Sequence, residues 1–402
     1  MQNQAEESAA RVLPSKESAL RFVVLIGVVS LFADMTYEGA RSITGPYLGM
    51  LGASAAVVAI VAGFGELVGY GLRLVSGYFA DRTQRYWPIT LAGYVLNMLA
   101  VPLLALAGTW QFASLLIIAE RTGKAVRNPP RDVMLSHATS RIGRGFGFGL
   151  HEALDSLGAT LGPLVVAVVL AVNGDYRTAF AALLVSAVVA IVVLIAARIN
   201  FPTPRQFEPE KVVVGDARFP RAYWLYLGGV ALVAAGFADF PLIAYHFQNA
   251  AVVSAEWIPL LYAIAMATSA VAAFLFGRLF DRAGIPILAG VAFVSAFFAP
   301  LVFLGDFTLA LLGMICWGIG IGAHESVMRA AVADFVPAER RGSAYGIFNA
   351  GYGIAWFVGS ALMGLLYGQS IYWVVGLSVV LQLAAIPVFL LVRRPQSQSA
   401  DA

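Results

Sequence analysis

The sequence predicts an all-α membrane protein with twelve transmembrane helices in two pseudo-symmetric six-helix halves, and three observations predict it. The chain of 402 residues is 60% hydrophobic and only 12% charged, with a mean hydropathy of +0.80, far above that of a soluble domain. Its apolar residues fall in long runs between polar or Gly/Pro breaks. About 20 apolar residues span a bilayer as a helix, and backbone groups in lipid must be satisfied internally, so such runs are helices. A β-barrel would show short alternating segments instead. Finally, short motifs recur in the same order in the two halves.

The elements follow in chain order. Residues 1–19 are polar and lack the apolar core and cleavage site of a removable signal peptide, so they read as a cytoplasmic tail ahead of a retained first helix. The N-terminal half, 20–199, holds helices beginning near Leu20, Ser54, Trp87, Trp110, Gly145 and Arg177. Residues 200–221, NFPTPRQFEPEKVVVGDARFPR, are the long polar break and read as a cytoplasmic linker. The C-terminal half, 222–393, holds helices beginning near Ala222, Ala255, Ile285, Phe307, Gly342 and Ile371, and 394–402 form a second cytoplasmic tail. With the N-terminus in the cytoplasm, nearly all loop Lys and Arg face that side and the opposite loops hold only Arg177. This asymmetry places both termini in the cytoplasm and the chain in the cytoplasmic (inner) membrane. It also accounts for most of the net charge of +3 without a nucleic-acid partner. Cys316 is the one cysteine, so no intramolecular disulfide forms.

The repeats are specific. GYFADRTQR, from Gly77 to Arg85, recurs as GRLFDRAG, from Gly277 to Gly284, with Gly77, Asp81 and Arg82 matched by Gly277, Asp281 and Arg282 at a spacing of 200 residues. Phe32-Ala33-Asp34 in the first helix recurs as Phe237-Ala238-Asp239 in the seventh, and RGFGFG from Arg144 is echoed by RGSAYG from Arg341. Such order argues for duplication, and parallel repeats are a transporter architecture with the substrate site at the midplane between the halves.

On these motifs the chain resembles the major facilitator superfamily over its whole length, and among its members the proton-coupled exporters. The family's loop, roughly G-x-L-A-D-R-x-G-R-R, is matched by Gly77, Ala80, Asp81, Arg82 and Arg85, while Phe79, Gln84 and Tyr86 depart from it. The resemblance implies that Asp81 latches a cytoplasmic gate. In the fifth helix Gly158, Gly162 and Pro163 match the antiporter motif G-x-x-x-G-P. The glycines let a neighbouring helix approach closely and Pro163 supplies a bend or hinge; the family associates this motif with export. The pair of glycines that usually follows is absent, Val165 to Val169 being aliphatic. GxxxG is equally a plain packing motif.

Charged residues in the bilayer are costly, at least about 2.5 kcal/mol each, and usually face a cavity or a partner. The first half carries Asp34, Glu38 and Arg41, then Glu66 and Arg73, the stretch ERTGKAVRNPPRDVM from Glu120 to Met134, and His151, Glu152 and Asp155. The second half carries mainly Asp239, His246, His324, Glu325 and Arg329. Asp34, Glu38 and Arg41 share one helix face, and Arg121, Lys124, Arg127 and Arg131 form a basic stripe. The stripe needs carboxylates, which the first, second and fifth helices are expected to supply. Paired charges of this kind are either structural salt bridges or a proton switch. Asp239, with no base in its own helix, is expected to be a protonated carboxyl or a substrate contact. Pro129-Pro130 is expected to disrupt the backbone of the fourth helix. His151 and His324 titrate near neutrality or serve as packing groups.

Other chemistry finds no support. AHESVM, from Ala323, lacks the second histidine of a zinc-protease helix, and GIGIG, from Gly318, has no strand before it. No phosphate-binding GKS or GKT loop occurs. The expectation is a monomeric secondary transporter without cofactor or metal, not an enzyme, that uses a proton gradient to export a small organic solute. The candidate proton or cation sites are Asp34, Glu38, Glu66, Glu152, Asp155 and Asp239, and Arg41, Arg121, Lys124, Arg127 and Arg131 set their charge state or bind an anion. The alternatives are uptake of an organic anion and a non-transporting membrane sensor.

Overall fold

The structure, a computed structural model, describes residues 16–202, 219–332, 335–336 and 341–392. The expected tails beyond these limits and most of the expected linker lie outside them, as do the side chains of Arg144 and Arg341.

The helices are α1 Lys16–Met50, α2 Ala55–Thr83, α3 Tyr86–Leu106, α4 Trp110–Ile142, α5 Arg144–Asn173 and α6 Tyr176–Asn200, then α7 Arg221–Asn249, α8 Trp257–Ala283, α9 Ile287–Leu304, α10 Phe307–Met328, α11 Arg341–Tyr367 and α12 Ile371–Leu391. Their starts lie within four residues of those the hydropathy pattern predicts. Among the described residues, eleven are long and apolar enough to cross a membrane. The exception is α4, whose basic stripe takes it out of that class although it is 33 residues long. The ends of α1 at Lys16 and α2 at Thr83 mark the tail end of the bundle, and Met50 and Asn249 mark its far end.

Polar caps set several starts. Ser54, Thr109, Asp175 and Asp306 each accept a hydrogen bond from a backbone N–H of the turn that follows, satisfying donors that the helix leaves free. Asp175 also accepts from the Thr178 hydroxyl, 2.8 Å away, and that bond holds its carboxyl below the usual range. A depressed value means that the cap is fully present above the unfolded-state pKa and is lost as pH falls through the folded-state value. Asp175→Ala is therefore expected to cost about 1 kcal/mol at neutral pH and nothing in acid, measured by thermal denaturation in detergent.

Small residues set the helix crossings. A Cβ on Gly158 or Gly162 would overlap the carbonyl oxygens of Leu31 and Met35, so α5 lies directly on the backbone of α1. In the second half Gly359 of α11 meets the Ala235 carbonyl of α7 in the same way. Gly93 and Gly123 bring α3 and α4 together, each lying against the other helix's backbone. Gly318 and Gly322 of α10 do so against Ala265 and Ser269 of α8. Close approach through small residues is how helices associate where lipid competes for apolar surface.

One expectation about the backbone is corrected. Pro129 and Pro130 do not break α4, which runs unbroken to Ile142. The break is instead in α7, between Gly236 and Phe240. Asp239 precedes Phe240-Pro241 and Pro241 lies in the first turn of the new segment, where its missing N–H costs nothing. Trp317 Nε1 donates to the freed Ala238 carbonyl at 2.9 Å. Phe32-Ala33-Asp34, the sequence repeat of this segment, stays inside continuous α1.

The first half has two separate apolar clusters. One, around Tyr47, Val58 and Phe180, lies toward the far end; the other, around Phe22, Trp87 and Tyr94, lies toward the tail end. Between them runs a layer of charged side chains.

Candidate functional site

The charged layer is built by α1, α2 and α4, with two contributions from the second half. Arg41 of α1 is its hub. Its Nη2 lies 3.1 Å from Glu66 of α2 and 2.6 Å from Asp239 at the break of α7. Glu66 is 3.1 Å from Arg121, and Arg121 Nε is 3.3 Å from Glu120. Asn97 of α3 closes the chain by donating to Glu120 at 2.7 Å. Trp356 Nε1 of α11 points at the other oxygen of Asp239, 3.3 Å away. Five charges, three acidic and two basic, thus share one continuous network in which each is mostly buried. Ions removed from water are held only where geometry and added hydrogen bonds compensate.

A second link joins the halves one turn away, where the Tyr262 hydroxyl of α8 donates to Glu38 at 2.5 Å. Around these links the halves are pressed together. A Cβ on Gly45 would overlap the Pro241 carbonyl, Gly49 faces the Tyr245 ring, and Tyr176 donates to Gln248 at 2.8 Å. All three contacts lie toward the far end.

Toward the tail end the charges are less tightly paired. Asp34 is buried, and Arg127 Nη2 is 3.5 Å from it. The Arg127 guanidinium lies over the Tyr94 ring, 4.2 Å from its centroid, and its Nε and Nη1 have no hydrogen-bond partner among the described residues. Arg131 pairs with its neighbour Asp132 at 2.8 Å and donates to Ser30 at 3.1 Å; Ser30 in turn contacts His151 at 2.8 Å. Asp155 Oδ1 is buried and unbonded among the described residues. Glu152, one turn before it, is exposed. Lys124 sits between the two groups of charges, its Nζ 3.4 Å from the centroid of Tyr37.

The loop motifs lie at the tail end. Asp81, Arg82, Arg85, Asp281 and Arg282 are all exposed, and none forms an ion pair among the described residues. Asp81 is hydrogen-bonded to Tyr86 at the start of α3. Gly77 lets Pro129 of α4 approach to 3.5 Å of where a Cβ would stand, whereas Gly277 faces open space. Gln84, where the loop pattern has glycine, adopts a left-handed φ of 57°, and its counterpart Gly284 has φ 69°. Pro163 lies within α5, one residue beyond the Gly162 contact with α1.

The expected pairing is therefore met in part. Among the described residues α1 and α2 supply Asp34 and Glu66 to the basic stripe as ion pairs, and Asp155 of α5 acts on Arg131 and Lys124 through its charge without an ion pair. Asp239 is not an isolated carboxyl, since Arg41 is bound to it. Sequence reasoning missed Tyr262, Trp356 and Asn97, whose partners lie on other helices. His324, in the π-helical turn His324–Met328, packs against Phe237 and lies 3.3 Å from the Tyr352 hydroxyl. No group of histidine, cysteine and carboxylate side chains among the described residues could hold a metal ion.

Known proteins place this architecture. The family model described as Major Facilitator Superfamily matches residues 23–328 and 325–402. An uncharacterized protein of Mycobacterium tuberculosis is 44% identical over 386 residues, 94% of each chain. The multidrug resistance protein MdtH of Photorhabdus laumondii is 26% identical over 328 residues, 80% of each chain. A crystal structure of the peptide transporter POT shares the fold with a TM-score of 0.74 at 16% identity, covering 94% of this chain and 97% of that one. With two six-helix bundles, a buried ionic layer and a family match from residue 23 onward, the chain belongs to the Major Facilitator Superfamily of membrane transporters.

Proposed function

We propose that the protein is a secondary active transporter of the inner membrane that works by alternating access and couples export of a small organic solute to proton entry. The observation that carries this reading is the Arg41–Asp239 pair, the one ion pair that joins the two halves among the described residues. It lies beside the Tyr262–Glu38 bond and the glycine contacts of the far end, so opening that end must break it. At the tail end the loop charges are exposed and unpaired with one another, which fits a state closed at the far end. A carboxylate freed from its base binds a proton more readily, and this links protonation to the movement of the halves. The direction of transport rests on the likeness to a protein named for multidrug resistance and on Gly158, Gly162 and Pro163.

Residues 20–199 and 222–393 are the two rocking units, and the protein acts as a monomer. Asp34, Glu38, Glu66, Glu152, Asp155 and Asp239 are its candidate proton or cation groups. Arg41, Arg121, Lys124, Arg127 and Arg131 set their charge. Gly77, Asp81, Arg82 and Arg85 with Gly277, Asp281 and Arg282 form the tail-end gate. Asp34→Asn is expected to leave folding intact and to lower solute-driven proton flux at least about tenfold, since general acid–base groups contribute on that scale or more. Wild-type flux in reconstituted Asp34→Asn would remove this residue from the mechanism. Anion uptake is the second reading, favoured by the two unbonded nitrogens of Arg127; the charge of the compounds that move protons distinguishes the two.

A further inference from the structure

We propose that Lys124 is the residue that carries the transported proton, and that Glu38 controls it by alternating between Tyr262 and Lys124. This inference rests on the proton-coupled reading above and moves the carried proton from the carboxylates to the base they surround. Among the bases of the charged layer, Arg41, Arg121, Arg127 and Arg131 each lie within 4.0 Å of a carboxylate. Lys124 lies within that distance of none among the described residues. Its ammonium rests on the Tyr37 ring, and the residue as a whole is half-buried. Chemistry separates it from the others as well, because a guanidinium stays charged in any protein whereas a lysine amine can lose its proton.

The groups facing Lys124 come from every neighbouring element. Asp34 and Glu38 of α1 act on it directly, as do Arg121 and Arg127 of α4 itself. Glu66 of α2, Glu120 of α4 and Asp155 of α5 also feel its charge. Of the carboxylates, Glu66 is held by Arg41 and Arg121, Glu120 by Arg121 and Asn97, and Asp34 by Arg127, while Asp155 keeps one buried oxygen without a hydrogen-bond partner among the described residues. Glu38 alone is held by a group of the other half, the Tyr262 hydroxyl. When the far end opens, that bond must part, because its two ends sit on different rocking units. Glu38 is then free to turn to Lys124, its neighbour across α1 and α4, and supplies the carboxylate that an ammonium requires.

The cycle balances. With the far end open, Lys124 Nζ accepts a proton from water of that side, forming an N–H bond while a hydronium O–H bond breaks, and Glu38 pairs with the ammonium. When the far end closes, Tyr262 takes Glu38 and the ammonium loses its carboxylate. It then returns the proton to water at the tail end. One proton enters per cycle and no other bond changes.

The test needs no solute. Asn173 and Ala250, both exposed at the far end, are replaced by cysteine in a Cys316→Ser background, spin-labelled, and their separation is measured in nanodiscs as a function of pH. Wild type is expected to shift toward the longer separation in acid, by up to about tenfold in population per pH unit for one linked proton. Lys124→Arg, permanently charged, is expected to hold the long separation at every pH. Lys124→Gln, never charged, is expected to hold the short one. A packing role would move both variants in the same direction or leave the pH response intact, and either result overturns the proposal. If Asp34→Asn abolishes the response while Lys124→Arg retains it, proton coupling stands and Lys124 is not its carrier. A wild type whose separation ignores pH overturns both.

Discussion

Arg41→Ala is expected to be the most damaging single change in the charged layer. It removes the hub that holds Glu66 at 3.1 Å and Asp239 at 2.6 Å and leaves the buried Asp239 with Trp356 as its remaining partner. Stripping one partner from a buried ion pair costs about 3–5 kcal/mol, because the other charge stays behind uncompensated. The variant should unfold at clearly lower temperature in detergent and lose solute-driven proton flux. Asp239→Asn is expected to be milder, since Arg41 retains Glu66. A double-mutant cycle of Arg41→Ala with Asp239→Asn measures the coupling across the halves. Equal stability of Arg41→Ala and wild type would show that the network does not hold the halves together.

The second large effect is expected at Gly162. A leucine there would drive its Cβ into the Met35 carbonyl and toward the backbone N–H of Gly39, both backbone groups of α1 that cannot turn aside. The two helices would have to separate along the contact that Gly158 also makes. Overpacking costs about 1–3 kcal/mol in a core where side chains can yield, so Gly162→Leu is expected at or beyond the top of that range. Gly69→Leu is the control, because a Cβ there meets nothing within 4 Å. Thermal denaturation with size-exclusion chromatography reads both. Similar profiles for the two variants would mean that α1 and α5 are not seated as described.

Much of this fold is legible in the sequence, because helix count follows from hydropathy, and hydropathy is a sum over neighbours in the chain. The crossing of α1 and α5 is legible in part, since Gly158 and Gly162 state that something approaches closely but not which helix does. The ionic layer divides the same way. Its members announce themselves as charges in apolar runs, and Glu66 with Arg121 could be anticipated as partners within one half. The Arg41–Asp239 pair spans 198 residues and depends on how two bundles meet, which no local pattern encodes. A signal for the α7 break was nevertheless present: Asp239 followed two residues later by Pro241 is a helix-start pattern in the middle of an apolar run. At Pro129-Pro130 the usual cost of proline was outweighed by tertiary context. Gly77 accepts Pro129 at 3.5 Å, and α4 is locked onto α3 through Gly93 and Gly123 on either side.

Under the proposed function, proton entry drives solute export through this ionic layer. The most direct measurement is proton flux in inside-out vesicles, followed with a pH-sensitive dye while organic cations, neutral compounds and anions are added in turn to wild type and Asp34→Asn. At least one compound is expected to release protons from wild-type vesicles, and to do so at least about tenfold more slowly from the variant. If no compound across the three classes moves protons in wild type, or if Asp34→Asn responds as wild type does, proton entry through this layer does not drive export.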